Sequence, residues 1–265
     1  MTATPPDAEA LVERRGRAGV IVLNRPRALN ALTLTMVRLI AEALDRWERD
    51  GAVDRLVVLG AGERAFCAGG DIRRLYDLGR AGDHDAQLTF WREEYQLDRR
   101  IKTYSKPIVV LADGITMGGG VGIMMNAAHR VAGERFVFAM PEVGIGFFPD
   151  VGAAWFLPRL KHRAGVYFAL TGVRAGAGDA LALGLAETFL GSAALPALVG
   201  ALESDEPVKA ALARFAAPPP RSTSGSVTTL SIGSSSSGRA GAPFAPAATS
   251  AACTISAAMA IMTLN

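Results

Sequence analysis

The chain of 265 residues is poor in the side chains that most often carry crosslinks, metals or proton transfer. Its two cysteines, Cys67 and Cys253, stand far apart and outside any CxxC pair, which argues against a disulfide framework and gives no zinc site. The three histidines, His84, His129 and His162, lack metal-ligand spacing, so each reads as a surface or capping residue rather than a base. There is no GxSxG nucleophile elbow and no GxxxxGK[ST] phosphate loop. A formal net charge of +3 allows an anionic ligand, yet no basic stripe with interleaved aromatics supports a nucleic-acid partner. The opening "MTATPPDAEALVERRGRAG" has early acids and no continuous apolar run, so neither a secretory signal nor a membrane anchor is expected, and a cytoplasmic address follows. What remains for chemistry is carboxylates and backbone amides.

Half of the residues are hydrophobic, enough for the core of one large domain or two small ones. "GVIVLNRP", "RLVVLGAG" and "KPIVVLADG" read as strands, and "LTLTMVRLIAEALDRWERD", a segment from about Asp85 to Ser105, and "GGGVGIMMNAAHRV" read as helices between and after them. This alternation predicts an α/β fold with parallel strands and right-handed crossovers. Two Ala/Leu-rich helices with a short strand or turn between them are expected from Ala175 to about Ser204.

Beyond Glu206 the chain has no Asp or Glu at all, and from Pro218 Ser, Gly, Ala, Thr and Pro dominate without helical or strand periodicity. The boundaries expected are a catalytic domain over 1–217 and a low-complexity tail over 218–265. The tail reads as disordered, with a shifted reading frame or an Ala-rich membrane segment near Ala247–Leu264 as alternatives.

Against this background, "FAMPEVGIGFFPDVGAAWFLPRL" places Glu142 and Asp150 in an apolar run. Acids are rarely buried unless paired, so they either form ion pairs, for example with Arg159, or serve a site. In "LTFWREEYQLDRRIKTYS", Glu94 points into the apolar arc of a helix, either as a core acid paired with an arginine or as a cavity-lining group. Two glycine clusters, "AFCAGGDI" and "DGITMGGGVGIMM", each end a strand and open a helix. Unpartnered N–H groups at such places suit a developing negative charge, although tight turns with close helix packing explain the glycines equally well.

Together, "GVIVLNRPRALNAL", "AFCAGGDIRRLY", "WREEYQLDRRI", "KPIVVLADGITMGGGVGIMM" and "MPEVGIGFFPDVGAAWFLPRL" closely resemble the crotonase (enoyl-CoA hydratase/isomerase) superfamily, and within it the 3-hydroxyisobutyryl-CoA hydrolase branch. The resemblance, from about Gly19 to Pro218, implies a spiral of ββα turns with surrounding helices, and hydrolysis of a short 3-hydroxyacyl-CoA thioester. It implies an oxyanion hole at Gly70 and Gly119, a catalytic Glu142, and Asp150 and Glu94 as further substrate contacts. CoA contacts are expected at Arg27, Ala68, Arg64 and Arg73. No metal and no cofactor beyond the CoA of the substrate is implied, and a homo-oligomer is an option.

Enoyl-CoA hydratases of the superfamily carry a second glutamate three residues after the middle glycine, where this chain has Gly122, which favours hydrolysis over hydration. Branch members also continue well past this chain's end. Two other readings therefore stand beside the first: an enoyl-CoA hydratase or isomerase, and an inactive truncated protein that only binds CoA.

Overall fold

A computed structural model describes residues 4–221. The chain begins with a hairpin of strands β1 (Ala10–Arg15) and β2 (Ala18–Leu23), followed by helix α1 (Leu34–Glu48). Thr33 starts α1 by accepting from the Met36 N–H, and the helix buries Met36, Ile40, Ala43, Leu44 and Trp47 as their spacing predicts.

Three successive units then repeat one plan. Strands β3 (Arg55–Gly60) and β4 (Ala65–Cys67) lead to helices α2 (Ile72–Arg80) and α3 (His84–Lys102). Strands β5 (Ile108–Ala112) and β6 (Ile115–Met117) lead to α4 (Gly119–Asn126). Strands β7 (His129–Ala132) and β8 (Val137–Ala139) lead to a 3-10 turn at Pro141–Ile145 and then to the short helices α5 (Ala153–Phe156) and α6 (Ala164–Thr171). The remainder is β9 (Ala175–Gly176), α7 (Ala177–Leu183), β10 (Thr188–Phe189), α8 (Leu195–Glu203) and α9 (Val208–Phe215).

In each unit the first strand joins a six-stranded sheet, ordered β1-β2-β3-β5-β7-β10, and the second joins a four-stranded sheet, ordered β4-β6-β8-β9. Apart from the β1–β2 hairpin, all pairs of the larger sheet are parallel. Burial on both faces explains why β3 and β5 read as continuous Leu/Val/Ile runs rather than as alternating patterns. The expected stack of ββα turns is therefore present, and the alternating α/β reading agrees with it. The smaller sheet was not resolved in the sequence, because its strands of two or three residues are too short to display a period, and the six-residue β1 was missed because its second half, Glu13–Arg15, is exposed and charged.

The main core fills the space between the sheets and helices α1, α3 and α4, with Phe66, Phe136, Phe138 and Phe168 deep inside. A second cluster lies on the outer face of the larger sheet, where Leu198, Leu202 and Leu212 of α8 and α9 cover Val20, Val57 and Val109. Just past α9, the Ala217 N–H donates to the Phe189 carbonyl (2.8 Å) and anchors this layer. The expected tail, its membrane-segment alternative and Cys253 lie outside the described residues, apart from the first few positions after Pro218.

Candidate active site

The glycine clusters come from two neighbouring strands of the smaller sheet. Strand β4 runs into Ala68-Gly69-Gly70 and β6 into Gly118-Gly119-Gly120, so parallel pairing of β4 with β6 brings both clusters to one end. Gly69 (φ +108°) and Gly118 (φ +47°) turn the chain through backbone conformations that side chains disfavour. Their backbones nearly touch: a Cβ on Gly118 would sit 3.3 Å from Gly69 Cα and 3.4 Å from Glu142 Oε1.

The Gly70 segment is pinned from one side by a parallel bridge to Leu32, with Leu32 N–H to Gly69 O at 2.8 Å and Asp71 N–H to Leu32 O at 2.9 Å. Arg25 reinforces it by donating to Asp71 Oδ2 (3.0 Å) and to the Ala31 carbonyl (2.7 Å). Among the described residues, neither the Gly70 nor the Gly119 N–H donates to a protein acceptor. Gly119 is the first residue of α4, where an N–H has no partner inside the helix and carries the positive end of its dipole.

These glycines open onto a cavity of about 190 Å³ whose polar lining includes Gly70, Glu94, Gly119, Glu142 and Asp150. Its apolar walls come from Ile72 and Leu75 of α2, Phe90 and Trp91 of α3, and Phe147 of the loop after the 3-10 turn. Five residues singled out in the sequence thus meet in one mostly apolar pocket.

Each acid is held differently. Glu142, in the 3-10 turn, is 8% exposed, and its Oε2 is buried without a hydrogen-bond partner. Burial first, and then the Asp150 charge, push its carboxyl up to about 7, against a lowering contribution from its own backbone N–H. Asp150 accepts from Tyr95 Oη at 2.7 Å. Its carboxyl is also raised by burial, while the Tyr95 hydrogen bond and its own N–H hold it back. Glu94 is 3% exposed with Oε1 unpartnered, and burial, Asp98 and Asp150 together raise it well above the carboxylate range.

Among the described residues no cation pairs with Glu94, Glu142 or Asp150. The neighbouring Glu93 is paired, forked by Arg38 with two bonds of 2.7 Å. Arg159, the candidate partner for the loop acids, donates to the Trp155 carbonyl and lies over the Trp155 ring. The ion-pair readings of these three acids are therefore replaced by a cavity-lining arrangement.

The residues expected at CoA lie elsewhere. Arg27 sits on an exposed 3-10 turn, Pro26–Ala28; Arg64 and Arg73 are exposed; and the Ala68 N–H donates to the Leu29 carbonyl (3.0 Å). None lines the cavity, although Arg73 lies on α2 next to its lining residue Ile72. Of the histidines, His129 is partly buried and lowered by that burial, and His84 contacts Gln87 (2.9 Å). Cys67 is buried, and desolvation pushes its thiol up to about 12, so it is not a nucleophile in this state. Among the described residues no group of three or more His, Cys, Asp or Glu is arranged to hold a metal, and no helix is long and apolar enough to cross a membrane.

Tyr95, Asp98 and the Arg25–Asp71 pair were missed in the sequence. Tyr95 reads there as part of the apolar arc, and only the approach of the 148–154 loop reveals that its hydroxyl serves Asp150. Asp98 follows Glu94 by one helical turn, and that i, i+4 spacing on a buried face was the available signal.

The chain is 50% identical over 198 residues to the 3-hydroxyisobutyryl-CoA hydrolase, mitochondrial, of Danio rerio, covering 75% of this chain and 52% of the relative. The human protein of the same name is 48% identical over 190 residues, covering 72% and 49%. The chain thus spans about half the length of the curated relatives it matches.

Among solved structures, a carnitinyl-CoA dehydratase from Mycobacterium thermoresistibile superposes with a TM-score of 0.80 at 40% identity, over 85% of this chain and 65% of that one. An enoyl-CoA hydratase from Rhodobacter sphaeroides 2.4.1 gives 0.75 at 45%, over 84% and 64%. With residues 18–234 also matching the family model for enoyl-CoA hydratase/isomerase, the chain belongs to the enoyl-CoA hydratase/isomerase family and has its crotonase fold.

Proposed function

We propose that this chain carries the catalytic core of an acyl-CoA thioester hydrolase acting on a short 3-hydroxyacyl-CoA, with 3-hydroxyisobutyryl-CoA, an intermediate of valine catabolism, as the substrate. The observation that carries this reading is the placement of Glu142 in a mostly apolar cavity beside two free glycine N–H groups, with its carboxyl raised to about 7. A base poised near the working pH is half ionised there and still basic enough to take a proton. The resemblance to relatives named as hydrolases supports the same chemistry.

In this proposal the thioester carbonyl oxygen lies between the N–H groups of Gly70 and Gly119, an oxyanion hole whose donors are fixed by the Leu32 bridge and the α4 terminus. Glu142 then acts on the carbonyl carbon in one of two ways. As a general base it takes a proton from water, whose oxygen forms the new C–O bond. As a nucleophile it forms an anhydride and expels the CoA thiolate, and water cleaves the anhydride. Both routes yield carboxylate, thiol and one released proton. Asp150, oriented by Tyr95, receives the 3-hydroxyl of the acyl group or assists departure of the thiolate, and Glu94 completes the polar end. Arg27, Arg64 and Arg73, with the Ala68 segment, are proposed to meet the CoA moiety outside the cavity.

The test is free-thiol release from 3-hydroxyisobutyryl-CoA by this chain and by Glu142→Gln. Turnover in the first and its loss in the second supports the reading. Loss of crotonyl-CoA absorbance without thiol release would instead support hydration, a second reading favoured by the solved neighbours named as hydratase and dehydratase. Folded protein with neither activity would support the truncated, CoA-binding reading.

The compartment and assembly are part of the proposal. The cytoplasmic address expected from the opening residues stands against relatives named mitochondrial, and cell fractionation decides. Exposed Val166 and Leu170, one turn apart on α6, offer an apolar patch for a second copy, which sedimentation would detect.

A further inference from the structure

One buried acid has no part in the mechanism above. Asp98, in the last turns of α3, is 6% exposed, and its Oδ2 is buried without a hydrogen-bond partner. It occupies the space that a side chain at position 122 would need: a Cβ on Gly122 would lie 2.7 and 2.8 Å from its two carboxyl oxygens. Gly122 of α4 is thus the position that allows a carboxyl from α3 to reach this wall.

Behind that wall lies a second cavity of about 440 Å³, lined by Tyr95, Asp98, Asn126 and Asp150 and rimmed by Arg99 and Lys102. Asp150 lines both cavities, so it separates the acyl pocket from the space that Asp98 faces.

The groups facing Asp98 are mostly acidic or neutral. From α3 come Glu94, Tyr95, Arg99 and Lys102; from the 148–154 loop comes Asp150; from α4 comes the Asn126 amide; and Cys67 lies at the end of β4. Tyr95 Oη is committed to Asp150, the Asn126 amide donates to the Gly122 carbonyl (2.9 Å), and Lys102 lies over the Trp155 ring. Among the described residues no ion pair reaches Asp98. Burial first, and then the Asp150 charge, raise its carboxyl well above the usual range.

We infer that Asp98 is a positioning residue of the site, a carboxyl that keeps its proton so that Asp150 is the charge-bearing acid on the wall between the two cavities. The inference rests on the thioester-hydrolase reading for its kinetic consequence, but not for its protonation. In acyl transfer, negative charge grows on the carbonyl oxygen. A further buried carboxylate close by would oppose it, so ionisation of Asp98 should depress turnover at alkaline pH.

Asp98→Asn keeps the size and polarity of the protonated form and cannot ionise; Asp98→Leu removes the polar group as well. A carboxyl raised on folding contributes stability that is full below its unfolded value and is lost as pH rises towards its folded value. Melting should therefore separate Asp98→Asn upward from the unaltered chain by several degrees near pH 8, with the gap closing by about pH 4. Asp98→Leu should show the same closing gap, offset by a constant packing term. Parallel melting curves of Asp98→Asn and the unaltered chain across that range overturn the inference.

In thiol release, the ratio of kcat for Asp98→Asn to that of the unaltered chain should rise towards alkaline pH as Asp98 begins to ionise. A ratio that falls towards alkaline pH in an active enzyme also overturns the inference. If the unaltered chain releases no thiol, the hydrolase reading falls, and the melting series alone decides whether Asp98 holds its proton.

Discussion

Glu93 and Glu94 are adjacent on α3 and are the same residue type, yet they face opposite worlds. On the outer side, Arg38 forks Glu93, and the carboxyl is lowered by that hydrogen bond first. On the inner side, Glu94 is buried and its carboxyl is raised by burial first. One step of about 100° around a helix decides whether an arginine or burial governs the carboxyl, because water can screen and solvate only the outer group. The outer face behaves as a solvated protein surface. The inner face carries Glu94 and Asp98, which meet Asp150 from the facing loop with no cation among the described residues to neutralise them, and burial raises both α3 carboxyls well above their usual range. Such an arrangement costs stability and is characteristic of sites rather than of scaffolds.

The comparison is broken most severely at the pocket's own base. Glu142→Gln should reduce kcat for thiol release by about 10²- to 10⁴-fold, the usual contribution of a positioned acid–base group. Unaltered turnover would assign the chemistry elsewhere. In the intact enzyme, kcat/KM should rise with pH through about 7, because the ionised form of Glu142 is the active one.

Next is Gly119→Ala. A methyl group there would run into Glu94 Oε1 and come within 2.9 Å of Leu32 Cδ1. Overpacking of this kind costs about 1–3 kcal/mol, read as a lower denaturant midpoint, and should lower kcat along with it. A variant with unchanged midpoint would mean that the contact yields freely.

Glu94→Gln sharpens the inner half of the comparison. Since burial raises the Glu94 carboxyl, the unaltered chain loses stability as pH rises above about 4.3, the free glutamate value, and the amide variant does not. Its melting temperature should gain on the parent as pH increases. A gain that shrinks with rising pH would show that Glu94 is charged in the fold.

Glu93→Gln on the outer face should have the smallest effect, a slight loss of melting temperature that disappears as salt is added. A loss larger than that of Gly119→Ala would erase the distinction between the two faces.

Much of this was legible in the chain. The helical spacing in "LTFWREEYQLDRR" already turns Glu94 inward and Glu93 outward, and glycine clusters after strand-like runs already mark the places where N–H groups go unpaired. The alternation of strands and helices sufficed for the α/β class. The smaller sheet, the Arg25–Asp71 clamp and the Tyr95–Asp150 bond were not legible. Arg25 and Asp71 are 46 residues apart, and Tyr95 and Asp150 are 55 apart. Such partners are chosen by strand register and helix packing, not by any local period.

The amino-acid sequence by itself therefore determined which groups would be deprived of water, since burial follows from the periodicity of apolar residues along each element. Only the tertiary structure decided which deprived groups would meet. Parallel pairing of β4 with β6 brings Gly70 and Gly119 to one end, and the space left by Gly122 admits Asp98 behind Asp150. The strength of their mutual electrostatics depends on separations in space that no spacing along the chain encodes.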